Sequence, residues 1–221
     1  MKNNLKVAET LIEALPYIKK FRGKTIVLKF GGSIGSKEFS NFARDLVLMN
    51  YVGINPVVVH GGGAEITKAL LKSKIKAKFI DWLRVTCDQT MEVVEKVLVG
   101  KVNKQIVSKI KINGGKSVGL SGKDKELLKV KKIKSHKKGT DFGRVGEIIK
   151  VNVSHIFDLQ KKGFIPVIAP VGINNKGLSY NINGDHAASK IASSLNAEKL
   201  IILTDVEGIR DKNKNLISSI S

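Results

Sequence analysis

The chain predicts an α/β fold in which a mostly parallel sheet is covered by helices on both faces. Three observations carry this. Short apolar runs alternate with stretches of helical periodicity along the sequence. The runs are apolar at nearly every position, as in strands buried on both faces. Two of them, at 26–30 and 57–59, lead into glycine: Gly31-Gly32 at once after the first, and Gly61-Gly62-Gly63 one residue after the second.

The elements follow in order. Residues 6–21 carry Val7, Leu11, Leu15 and Ile18 at helical spacing, and Pro16 is expected to kink or split that helix before Arg22-Gly23 ends it. The first core strand spans 25–30. A helix at 37–50 sets Phe39, Phe42, Leu46 and Met49 on one face. Gly53 and Pro56 mark the turn into the second strand, and 65–72 is the next helix. Thr86 is expected to N-cap a long helix at 89–110, with Asp88 and Gln89 at its start. Gly114-Gly115 stops that helix, and 117–120 is a short strand. Segments 127–133 and 146–151 read as hairpin strands around a basic loop. Ser154 is expected to cap a helix that Gly163 ends. Strands buried on both faces are expected at 164–169 and 200–203, with a helix at 187–195 between them.

Bulk properties narrow the function. With 221 residues the chain makes one large or two small domains. Its net charge of +20 comes from lysines spread along the sequence. The densest run, 129–138, has no interleaved aromatics to stack on bases, so it reads as a solvated face or mobile loop. Nucleic-acid binding is therefore not expected, and a basic field would draw in small anionic substrates. No apolar run reaches the length of a membrane span. Glu9, Glu13 and Pro16 interrupt anything resembling a secretory leader, and the lone Cys87 fits a reducing cytoplasm. His60, His136, His155 and His186 are scattered without metal-ligand spacing, and the GxxxxGK[ST] phosphate loop is absent.

The chemistry gathers at strand ends. Bare backbone leading into a helix N-terminus binds anions, and the run 61–63 has more glycine than a tight turn needs. Lys29 sits near the end of an apolar strand, where open α/β sheets hold ligands, and would neutralise charge on a transferring phosphoryl group. Two such ends suggest that two anionic groups meet above one sheet, as phosphoryl transfer requires. Asp185 reads either as a helix N-cap or as the acceptor that orients a lysine. Asn181 and Asn183 would share a face if both lay on a strand. Arg84 either pairs with a surface carboxylate or forks a substrate carboxylate. The segment 204–208 ends its strand on the same sheet edge.

With these residues the chain resembles the amino acid kinase family, and within it the acetylglutamate kinases. The segments that carry the likeness are VLKFGGS, FARDLVLMNYVGINPVVVHGGG, LRVT, VVEKVLVGKVNKQIV, VGLSGKD, GFIPVIAPVG, YNINGD and IILTDVEGI. The resemblance implies a three-layer αβα sandwich with a mostly parallel central sheet. It implies ATP-dependent phosphorylation of the side-chain carboxylate of N-acetyl-L-glutamate, in the cytoplasm, with Mg2+ carried by the nucleotide rather than by a protein site. Lys29 would be catalytic, with Asp185 holding it. Gly62, Gly63, Arg84 and Asn181 would bind substrate, and Gly31, Gly32, Thr204, Asp205, Val206 and Gly208 the nucleotide. Residues 1–22 would be a kinked arm building a homo-oligomer, a dimer or a hexamer, with arginine as feedback inhibitor. Residues 23–221 would be the kinase domain, its substrate lobe about 23–175 and the start of a nucleotide lobe about 176–221. The family pattern continues past Ser221 with a second phosphate-binding lysine, so the C-terminal part of that lobe is expected to be missing and turnover by this chain to be low. Trp82 stands where the family usually has glycine and is expected to crowd Arg84. A sister kinase for another acidic amino-acid derivative and a non-catalytic form of the fold are the alternatives.

Overall fold

A computed structural model describes residues 2–31, 36–134, 139–204 and 206–219. Its elements run α1 (Lys2–Phe21), β1 (Thr25–Phe30), α2 (Ser36–Tyr51), β2 (Asn55–His60), α3 (Gly63–Lys72), β3 (Phe79–Ile80), β4 (Leu83–Arg84) and α4 (Asp88–Glu95). A π-helical stretch, Lys96–Asn103, joins α4 to α5 (Lys104–Ile112). Then come β5 (Ser117–Ser121), β6 (Leu128–Lys132), β7 (Gly146–Val151), α6 (Ser154–Lys161), β8 (Ile165–Ala169), β9 (Val171–Ile173), β10 (Ser179–Asn181), α7 (Gly184–Ser194) and β11 (Lys199–Leu203).

The central sheet has the order β11-β1-β2-β8-β5, and every neighbouring pair is parallel. Successive side chains on a strand point to opposite faces. Ile26, Leu28 and Phe30 therefore pack on one side, with Phe42 and Leu46 of α2 and Ile106 and Ile110 of α5. Val27, Val57 and Val59 pack on the other, with Ile156 of α6 and Ala187, Ala188 and Ile191 of α7. Burying each of the larger side chains stabilises the fold by about 1.5–3 kcal/mol. The same alternation turns Lys29 towards the α7 side.

A second, mixed sheet has the order β10-β9-β6-β7; its β6-β7 hairpin was expected, whereas β9, β10 and a short hairpin, β3-β4, were not foreseen. These strands are short, and the glycine and asparagine around them give little periodicity. The basic loop does connect β6 to β7, although residues 135–138 of it lie outside those described.

Several expectations need correction. Of the two outcomes expected at Pro16, a split does not occur: α1 runs on through it as one helix. The segment expected at 200–203 to be buried is β11, which pairs only with β1 and leaves Leu200, Ile201 and Ile202 partly exposed. Thr86 does not cap α4. Its hydroxyl donates to the Arg84 carbonyl at 2.7 Å, which leaves Cys87 as the N-cap residue. Ser154 does not cap α6 either: its hydroxyl donates to Asn152 Oδ1 at 2.8 Å, and its backbone N–H lies 3.4 Å from the same atom.

Candidate active site

The parallel register brings the chemistry to one end of the sheet. Phe30 lies beside His60 on one side and Leu203 on the other. The Gly61 amide continues the ladder by donating to the Phe30 carbonyl at 2.9 Å. Lys29, the glycine turn and the segment after β11 therefore share the carboxyl edge, where parallel sheets hold ligands.

Asn183 takes the cap that one reading gave to Asp185. Its side-chain oxygen accepts from the Asp185 and His186 amides at 2.9 and 3.0 Å and caps α7. Asn183 thus lies off β10 and does not share a strand with Asn181. Asp185 is released from capping, and its Oδ1 lies 3.0 Å from Lys29 Nζ. The lysine side chain is only 14% exposed, whereas the carboxylate is 53% exposed. The start of this helix lies against the turn: a Cβ built on Gly184 would be in ordinary van der Waals contact, 3.7 Å from Gly61 Cα and 3.8 Å from Lys29 Cε.

Opposite stands Arg84, 7% exposed. One guanidinium nitrogen, Nη2, donates to the Gly63 carbonyl at 3.0 Å and to Thr67 Oγ1 at 2.9 Å. The guanidinium also lies 4.5 Å from the centre of the Phe79 ring. Among the described residues its other terminal nitrogen, Nη1, is buried with no acceptor. Burial lowers the guanidinium's pKa, yet an arginine stays charged. Asn181 donates from Nδ2 to Thr86 Oγ1 at 3.2 Å, so the hydroxyl links β10 to the Arg84 backbone.

These groups enclose a cleft of about 280 Å³ lined by Lys29, the Gly61, Gly62 and Gly63 turn, Arg84, Asn181 and Asp185. Larger depressions of about 680 and 640 Å³ lie along α5. They lack this convergence of cation, bare amide and arginine. Trp82 does not crowd Arg84. It sits at the tip of the β3-β4 hairpin, 96% exposed, at the rim of the cleft.

Gly62 cannot be replaced without displacement, since a Cβ would meet Leu98 Cδ2 at 2.6 Å. Among the described residues its N–H has no backbone acceptor. Gly31 lies between the Leu203 carbonyl, at 3.4 Å from a built Cβ, and Lys29 Nζ, at 4.0 Å. Thr204, Val206 and Gly208 follow β11 on the same edge, with Thr204 Oγ1 accepting from the Val206 amide at 3.4 Å. Gly32 and Asp205 lie outside the described residues.

His60 and Asn103, a buried polar pair behind the glycine turn, were not singled out from the sequence. His60 ends β2, is fully buried, and is held by desolvation at a pKa of about 4. A polar residue closing an otherwise apolar strand was the available signal for it. Nothing in the sequence marks Asn103, which meets it from 43 residues away.

The Amino acid kinase family model matches residues 24–221. Acetylglutamate kinase of Ruthia magnifica subsp. Calyptogena magnifica is 52% identical over 99% of this chain and 76% of its own length. That of Clostridioides difficile is 53% identical over 98% of this chain and 76% of its own. Among solved structures, N-acetylglutamate synthase from Neisseria gonorrhoeae, complexed with coenzyme A and N-acetyl-glutamate, matches with a TM-score of 0.83 at 26% identity. That match takes in 95% of this chain and 48% of the synthase. Fold, strand-end cation and relatives at about half identity agree: the chain belongs to the amino acid kinase family, on its acetylglutamate kinase branch.

Proposed function

We propose that the cleft transfers the γ-phosphoryl group of ATP to the side-chain carboxylate of N-acetyl-L-glutamate. This is the acyl-phosphate-forming step of arginine biosynthesis. The observation that carries it is the Lys29–Asp185 pair, 3.0 Å apart, beside the glycine turn and facing a buried arginine with a free nitrogen.

The step needs no proton transfer. A carboxylate oxygen attacks the γ-phosphorus, the bond to the β,γ-bridging oxygen breaks, and its electron pair leaves on ADP. Alignment and charge neutralisation supply the catalysis. Lys29 meets the charge that spreads over the transferring group, and Asp185 holds the ammonium in place. Gly62 and Gly63 offer amide N–H groups. Arg84 Nη1 receives the α-carboxylate and Asn181 the polar backbone of the substrate. Gly31, Thr204, Val206 and Gly208 border the nucleotide's side. Mg2+ enters with the nucleotide; among the described residues no three His, Cys, Asp or Glu side chains converge to hold an ion. No described helix is long and apolar enough to cross a membrane. The same reading takes α1 as an oligomerisation arm, arginine as feedback inhibitor, and residues 176–221 as the beginning of the nucleotide lobe.

Calorimetry with N-acetyl-L-glutamate, and hydroxylamine trapping of acyl phosphate with ATP present, test this. Binding is expected, and the slow ATP-dependent hydroxamate formed should fall about 10²–10³-fold in Lys29→Ala while binding persists. No binding by the unsubstituted chain sinks the reading. Binding without hydroxamate leaves recognition and removes transfer.

A further inference from the structure

His60 has no part in the mechanism above, yet it is the most deeply buried ionisable side chain near the cleft. Its hydrogen bonds fix its protonation completely. Nδ1 lies 3.0 Å from the Gly61 carbonyl oxygen, which can only accept, so Nδ1 carries the proton. Nε2 lies 3.1 Å from Asn103 Nδ2. That amide nitrogen is itself a donor, because it also faces the carbonyls of Val167 at 2.8 Å and Leu120 at 3.3 Å. Turning the Asn103 amide over would set oxygen against both carbonyls. Nε2 must therefore be the acceptor, and a second proton there would put donor against donor. Burial acts in the same direction, as the depressed pKa records.

The consequence lies on the far side of one peptide bond. The Gly61–Gly62 unit is planar and trans, with its C=O and N–H antiparallel. Holding the Gly61 oxygen on the α5 side of the strand sends the Gly62 N–H the opposite way, towards the cleft that the turn lines. Glycine on both sides of that bond leaves the peptide free to flip unless something holds it. The Gly62 carbonyl is held separately, by the Ile66 amide at 2.8 Å.

We propose that His60 is a positioning residue. Kept neutral by Asn103, it anchors the Gly61 carbonyl and thereby aims the Gly62 amide at the anionic group in the cleft. This rests on the phosphoryl-transfer reading for the identity of that anion, but not for the geometry.

Substitutions that keep one ring nitrogen at a time separate positioning from packing. His60→Asn places an N–H donor at the δ position and loses the ε contact. His60→Gln keeps a polar atom near the ε position and loses the δ donor. Positioning predicts that His60→Asn keeps N-acetyl-L-glutamate affinity and turnover within about threefold. His60→Gln should then lose about tenfold or more. Both should lose stability, so melting temperature will not follow activity. Equal impairment of the two variants, or none in either, overturns the proposal. A second readout is independent of the substrate: 15N spectra of the histidine ring should show Nδ1 protonated and Nε2 bare from neutral pH down to about pH 5. An Nε2–H tautomer overturns the proposal whether or not the chain is a kinase. Failure to bind acetylglutamate with the expected tautomer intact counts against the phosphoryl-transfer reading alone.

Discussion

At the scale of one residue, Arg84 carries an unsatisfied donor that the proposed substrate carboxylate would meet. Its Nη1 is buried without an acceptor. An unsatisfied buried donor costs about 1–3 kcal/mol, and more when it is charged. Losing the bonds made by Nη2 orphans no acceptor at Gly63, since that carbonyl also accepts from the Thr67 hydroxyl at 2.9 Å. Arg84→Met keeps the volume and the contact with Phe79 while removing the charge. The free protein should therefore melt at the same temperature or higher. The affinity for N-acetyl-L-glutamate should fall at least about a hundredfold, as expected when one partner of a buried charge pair is lost. Thermal melts with and without the ligand check both halves: the ligand-induced rise should vanish from the variant. A free protein that melts much lower would show that Arg84 holds the fold rather than the substrate.

At the scale of an element, the β3-β4 hairpin carries a local conflict. Ile80 pairs with Leu83, so Asp81 and Trp82 form a two-residue turn. Their φ angles of 47° and 65° are both positive, the requirement of a type I′ turn. A bulky side chain in the left-handed region costs about 1–2 kcal/mol, and Trp82 recovers almost none of that by packing. Trp82→Gly should raise the melting temperature by about 2–4 °C, the shift that about 1 kcal/mol gives in a chain of this size. An unchanged or lower value would mean that the indole contributes contacts which offset the strain. The same hairpin marks the limit of what the sequence shows. Lys29, the 61–63 turn and the long helices were legible because each is written in a contiguous stretch: an apolar run ending in glycine, or an apolar stripe at helical spacing. The two-residue strands were not, since two residues carry no period. The π turn at Lys96–Asn103 was also hidden, because a wider helical turn leaves the same apolar residues in the stripe. Asp185 stayed ambiguous because its role depends on Asn183 taking the cap, and both residue types cap helices well.

At the scale of the whole molecule, two opposing terms govern self-association. The outer side of α1 exposes Leu11 at 64% and Ile12 at 69%, with Leu15 and Tyr17 close by. A face of this kind favours burial against another surface. The charge of +20 opposes it, because two copies of the chain repel one another. Salt separates these terms. Screening shortens the reach of the repulsion from about 10 Å at 0.1 M to about 3 Å at 1 M, while apolar burial is not weakened. If α1 is the oligomerisation arm, the mass measured by light scattering should grow between about 0.1 M and about 1 M salt. The double variant Leu11→Asp, Leu15→Asp should stay monomeric throughout. Its affinity for N-acetyl-L-glutamate should not change, because α1 contributes no residue to the lining of the cleft. A chain that is monomeric at every salt concentration removes the arm from the account. An oligomer that weakens as salt rises would instead place ion pairs, not the leucines, at its interface.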